Sequence, residues 1–184
     1  MNLPSISETL RNLTQVFDRL HVDYMLIGGY ALPLYGVIRT TADIDVAIAM
    51  KLSDPMQLKK ELENAGFQVS SFSRGTPYFV VIDTKAVVEI EVWPKPDGIT
   101  IDEECLRRRE KLKIGKHDFW AIGPEDLIVN KLSRNDRRAQ DEYDVVGILG
   151  NMSEKLDFPY LYCIAERANI LPLLKVMQRK VRQR

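Results

Sequence analysis

The sequence predicts an α/β (α+β) protein: a small mixed sheet with flanking helices, followed by a C-terminal helical region. Three observations predict it. Apolar runs of strand length recur as far as residue 122. Single helix-period segments interrupt those runs, which places helices against a sheet. From residue 123 onward every apolar pattern has the helical period. The expected division is 1–122 for the mixed α/β unit and 123–184 for a helical region packed on it. With 184 residues and 45% hydrophobic content, the chain is long enough for a real core.

The elements follow in order. In "PSISETLRNLTQVFDRL", Ser5 and Glu8 have capping-box spacing, and Ile6, Leu10, Leu13, Phe17 and Leu20 make one apolar helix face. "VDYMLIG" is a strand closed by Gly28 and Gly29. "YALPLYG" is a short helix stopped by Gly36, and "TADIDVAIAM" is a strand. "SDPMQLKKELENAG" is a helix with a Ser53/Asp54 cap, Pro55 in its first turn and Gly66 at its end. "FQVSSF", "YFVVID" and "AVVEIEVW" are strands, with "DTKA" turning between the last two. Asp102 caps a helix in "EECLRRREKL", and "KLKIGKHDFWAI" is a hairpin turning at Gly115 and Lys116. "PEDLIVNKL", "DRRAQDEYDVVGILG" and two segments around Pro159 and Pro172 are helices.

Composition excludes several functions. The 26 basic and 26 acidic residues balance, so no global field draws in nucleic acid or membrane. Five basic residues in "KVMQRKVRQR" suit a solvated helix C-terminus, with an RNA or partner contact as the alternative. Two cysteines and two histidines, all in unrelated segments, do not make a zinc site. Reduced thiols and the lack of a basic-then-apolar leader lead us to expect a cytoplasmic protein. No apolar run approaches the ~18 residues of a membrane span.

The chemistry concentrates in paired carboxylates. Strand alternation puts Asp43 and Asp45 on one face, with the small Ala47 and Ala49 beyond them. Ile44, Val46, Ile48 and Met50 line the other face. Two bare carboxylates this close raise each other's pKa and cost stability, and a divalent cation relieves both. Mg²⁺ is the natural choice, since it takes one or two carboxylates and completes its shell with phosphates. Glu89 and Glu91 repeat the same spacing in "VVEIEVW". If the two strands are neighbours, three or four carboxylates converge, which suits two metal ions about 3.5–4 Å apart. For either pair alone, an acidic strand face turned to solvent is the plain alternative. Gly28 and Gly29, between a strand and a helix, let a phosphate approach the backbone.

Gly28-Gly29, thirteen residues, then Asp43-Ile44-Asp45 and a later strand acid resembles the nucleotidyltransferase superfamily to which DNA polymerase beta belongs. "GGYALPLYGVIRTTADIDVAI" and "PEDLIVNKLSRNDRRAQDEYDV" look like its small prokaryotic branch, which includes minimal nucleotidyltransferases and the toxins of abortive-infection systems. The resemblance spans residues 22 to 149. It implies Mg²⁺-dependent transfer of a nucleoside monophosphate from an NTP such as ATP to a tRNA, a protein or a small molecule. Two Mg²⁺ ions would sit on Asp43, Asp45 and a third acid, with Gly28 and Gly29 cradling the triphosphate. The family's third acid is usually an aspartate; here the candidates are Glu89 and Glu91. Lys131 would reach the phosphates, and Asp141 would match the aspartate that follows it. A toxin–antitoxin role would add a partner protein from a neighbouring gene. The second class of function is a non-catalytic nucleotide- or RNA-binding module. A metal-dependent nuclease or phosphatase is a third, against which the lack of a histidine near the acids counts.

Plainer readings accompany the remaining residues. Arg39 either pairs with Asp43 or Asp45 or contacts phosphate; arginine does both in bidentate fashion. Lys131 is otherwise an exposed helix lysine, and Asp141 otherwise belongs to an ion-pair lattice with Asp144, Arg137 and Arg138. Tyr30 is a packed tyrosine or a base-stacking one, and "RRREK" a solvated helix face or a grip on nucleic acid.

Overall fold

The structure, a computed structural model, describes residues 5–41, 43–49, 55–70 and 78–183. Helix α1 (Ile6–Arg19) opens on the expected capping box, with Ser5 and Glu8 bonded reciprocally, and buries Leu10, Leu13 and Phe17. It leads into β1 (Tyr24–Ile27), whose four residues are all buried. One helical turn, α2 (Gly28–Ala31), runs into a 3-10 turn, Leu32–Tyr35, and Gly36 ends it with a φ of +73°. Strand β2 (Ile44–Ile48) and helix α3 (Pro55–Asn64) follow. Strands β3 (Gln68–Val69), β4 (Phe79–Asp83) and β5 (Val88–Trp93) complete one wing of the sheet. Helix α4 (Glu103–Arg107) precedes the hairpin of β6 (Glu110–Ile114) and β7 (His117–Ala121). The remainder is helical: α5 (Pro124–Ser133), α6 (Ala139–Asn151), α7 (Phe158–Arg167) and α8 (Leu171–Arg182).

The seven strands form one mixed sheet in the order β3-β4-β5-β2-β1-β7-β6. β2 runs antiparallel to β1 and parallel to β5, so the strand in "TADIDVAIAM" lies between the glycine strand and the glutamate strand. That central position fits the continuous apolar run of β1, while β2 keeps its alternation with Asp45 on one face. Every residue of α5 from Pro124 to Leu132 is buried, and α6 and α7 pack against it. One hydrophobic cluster runs from Leu10 to Met177 through both sheet and helices. Among the described residues no helix is long and apolar enough to cross a membrane.

Two local expectations need adjusting. The helix capped by Asp102 stops at Arg107, and Glu110 already belongs to a strand. The cause is Arg109, whose guanidinium bonds the Tyr24 carbonyl at 2.9 Å and Asp23 at 3.1 Å, drawing the chain to the sheet. β2 starts at Ile44, which leaves Asp43 in the loop just before it. The expected Ser53/Asp54 cap and the end of "FQVSSF" lie outside the described residues.

Candidate functional site

Strand register brings the acids together. Asp45 sits directly across from Glu91 on β5 and from Ile27 on β1. The Asp45 and Glu91 carboxyls are neighbours that interact directly, each altering the other's proton affinity. Burial, then the charge of Asp45, pushes Glu91 up to about 6. Burial also raises Asp45, against a hydrogen bond from Trp93, whose indole N–H donates to Oδ1 at 3.2 Å. Asp43 is exposed, and its charge raises both partners. Glu89 shares the face of Glu91 but lies two residues nearer the strand start, where it is exposed, and its antiparallel partner is Ile82.

The glycines close the other side. Gly28 takes a φ of +63°, and a Cβ there would stand 2.1 Å from Asp45 Oδ2. A Cβ on Gly29 would stand 2.6 Å from the Thr41 hydroxyl. Contact excludes a side chain at both positions, and at Gly28 the backbone angle does so as well. Gly28→Ala is expected to cost about 1–2 kcal/mol in strain and to displace the Asp45 carboxylate. The check is a drop in chemical-denaturation midpoint together with a loss of function of the site.

Three residues singled out from the sequence assemble elsewhere. Arg39 grips Asp144 with Nε at 3.1 Å from Oδ1 and a terminal nitrogen at 3.1 Å from Oδ2. Lys131, only 3% exposed, lies 2.8 Å from Asp144 and 3.3 Å from Asp141. Asp141 also accepts the Arg138 backbone N–H, at the start of α6. Asp144 is fully buried, yet hydrogen bonds from Arg39 and Lys131 overcome its burial and hold its carboxyl below the usual range. This cluster ties the loop ahead of Asp43 to α5 and α6.

The cleft at the acids is lined by Gly28, Asp45, Trp93, Asp97, Asn130 and Arg134. Sequence reading missed the last four. Trp93 was accessible by parity, two residues past Glu91 on the same strand. Asn130 stands on α5 and Arg134 is the residue that caps its end; Asn130 holds the loop by donating to the Asp97 carbonyl. Among the described residues no three acidic, histidine or cysteine side chains stand close enough to cage an ion unaided. The closest acidic pair is Asp45 with Glu91, so a cation here would have one or two carboxylates and would leave the rest of its shell to a phosphate-bearing ligand. A larger cavity, about 740 Å³, lies at the opposite end of the same strands, around His21, Ile48, Pro94 and Ile101, away from these acids.

A family model described as "Nucleotidyl transferase of unknown function (DUF2204)" matches residues 6–184. No curated protein sequence matches the chain. Among solved structures, the lincosamide antibiotic adenylyltransferase LnuA, with lincomycin bound, is 14% identical with a TM-score of 0.53, covering 80% of this chain and 98% of that one. The antibiotic-resistance factor ANT(2'')-Ia is 13% identical with a TM-score of 0.55, covering 89% and 92%. An antigenic nucleotidyltransferase-like protein from Paracoccidioides brasiliensis is 20% identical with a TM-score of 0.48, covering 97% and 95%. The first two likenesses establish the shared fold.

Proposed function

The chain belongs to the nucleotidyl transferase family DUF2204, and on that premise we propose that Asp43, Asp45 and Glu91 are the acids around which the transfer occurs. The observation that carries this reading is the pairing of Asp45 with Glu91 across adjacent parallel strands, with Gly28 pressed against the Asp45 carboxylate. Carboxylates held in contact are costly unless a cation joins them. The donor set is all oxygen, which suits Mg²⁺. When bound there, Mg²⁺ would neutralise charge developing on the α-phosphate and on the departing pyrophosphate.

The chain's own residues then have separable tasks. Gly28 and Gly29 bring bare backbone to the triphosphate beside Asp45. Trp93 fixes the rotation of Asp45 through its indole N–H. Of the two glutamates, Glu91 is the third acid in this reading, because it shares a register position with Asp45 and Glu89 does not. An acceptor oxygen attacks the α-phosphate in line, and positioning with electrostatics supplies most of the rate. The resemblance to antibiotic adenylyltransferases supports ATP as the first donor to try and a small molecule as the first acceptor class. RNA or protein acceptors, a toxin–antitoxin role with a partner protein, and a cytoplasmic location rest on the sequence resemblance alone.

The test is to incubate the protein with each α-labelled NTP, Mg²⁺ and fractionated lysate. We expect label on one fraction, abolished by EDTA and in Asp43→Asn. Binding of NTP without transfer to any fraction would turn the reading to a nucleotide-binding module. No metal-dependent NTP binding would overturn the site.

A further inference from the structure

The cleft holds one cation that the proposed chemistry has not used. Arg134 follows the last turn of α5 and lines the cleft together with Gly28 and Asp45. Its guanidinium is turned to Asp136, with Nε 3.0 Å from Oδ1 and a terminal nitrogen 3.1 Å from Oδ2. The two side chains are unequal: Arg134 is 30% exposed and Asp136 is 58% exposed. Lys131, three residues earlier, is committed to Asp141 and Asp144 in the interior. Arg134 is therefore the cation that reaches the cleft from this helix.

Resting on the nucleotidyl transfer reading above, we propose that Arg134 binds the phosphates of the nucleoside triphosphate, and that Asp136 is an internal competitor holding its guanidinium until the nucleotide enters. The chemistry is an exchange of one bidentate anion for another. A planar guanidinium fits carboxylate and phosphate oxygens equally well, so the exchange keeps both hydrogen bonds. The exposed pair it gives up is worth little, because solvent already screens it. Arg134 also feels Asp45 and Asp141 electrostatically, which keeps it directed inward. Filling the carboxylates with cations releases that inward pull and leaves the phosphates as its strongest partner.

Either substitution breaks this ion pair, Asp136→Asn also releasing Arg138 at 3.9 Å, yet the two have opposite effects on binding. The measurement is calorimetric titration of each NTP in turn, and of inorganic pyrophosphate, with Mg²⁺ present. Arg134→Gln is expected to weaken NTP and pyrophosphate by about tenfold or more, the size of a charge-assisted hydrogen bond, and to leave nucleoside monophosphate unchanged. Arg134→Lys recovers part of that loss as a point charge. Asp136→Asn is expected to tighten NTP by about two- to fivefold. Thermal unfolding of each variant guards against a folding defect. Equal weakening in Arg134→Gln and Asp136→Asn, or no change in either, would overturn the proposal. If Asp43→Asn loses transfer while Arg134→Gln binds normally, the transfer reading stands and this one falls. If the parent protein binds no NTP, both fall.

Discussion

Asp45→Asn is expected to lose nucleotidyl transfer by about a thousandfold or more, the several kcal/mol a metal ion contributes, and to unfold at a higher temperature than the parent protein. Both effects have one source. Asp45 and Glu91 share one register position, and burial with the charge of Asp45 pushes Glu91 up to about 6. Its ordinary value in an unfolded chain is about 4.3. A carboxyl whose pKa is raised by folding binds more protons in the folded state between those two values. Stability is therefore full below about 4.3, falls as pH rises through about 6, and stays lowered above it. Asp45→Asn removes the repelling partner, so this slope flattens and the melting temperature at neutral pH rises by about 2 °C or more. Mg²⁺ should raise the parent's melting temperature above pH 6 and leave the variant's nearly unmoved. A variant that melts lower than the parent, or that retains transfer, would sink this account.

Asp144→Ala is expected to cost about 3–5 kcal/mol, the largest stability loss we foresee for a polar residue here. The carboxylate is fully buried and takes contacts from Arg39, from Lys131 at 2.8 Å and from Gln140 at 3.0 Å. Removing it leaves Lys131 in the interior with Asp141, at 3.3 Å, as its one remaining ion-pair partner among the described residues. An uncompensated interior charge is far worse than no charge. The denaturant midpoint should therefore fall with little change in slope, and Lys131→Met combined with Asp144→Leu should recover most of the loss. Transfer should fall in both, because Arg39 then no longer moors the loop that carries Asp43. An Asp144→Ala protein as stable as the parent would show that the cluster contributes nothing.

Much of this site was legible in the sequence, and the limits have physical causes. Alternation along β2 and β5 put each acid pair on one face without any structure. Choosing between Glu89 and Glu91 needs the register of two strands separated by a helix and two strands, and no local signal carries that. Lys131 sits among Leu127, Ile128, Val129 and Leu132, so it looked like the polar edge of a one-sided helix. α5 is covered all round, and a lone cation there needs interior carboxylates, supplied by α6. Arg134 went unnoticed because "SRNDRR" has the composition of an ordinary turn, and only the fold shows which of its three arginines faces the acids. The capping box at Ser5 and the stop at Gly36 were read correctly because they depend on near neighbours alone.

Trp93 is bonded to Asp45 and lies against Tyr78, with ring centroids 4.5 Å apart. The chain has one other tryptophan, Trp120, which sits out on β7 beside Arg109 and Lys111. The protein thus carries its own optical gauge at the acids: whatever settles on Asp45 alters the surroundings of one indole and leaves the other as an internal standard.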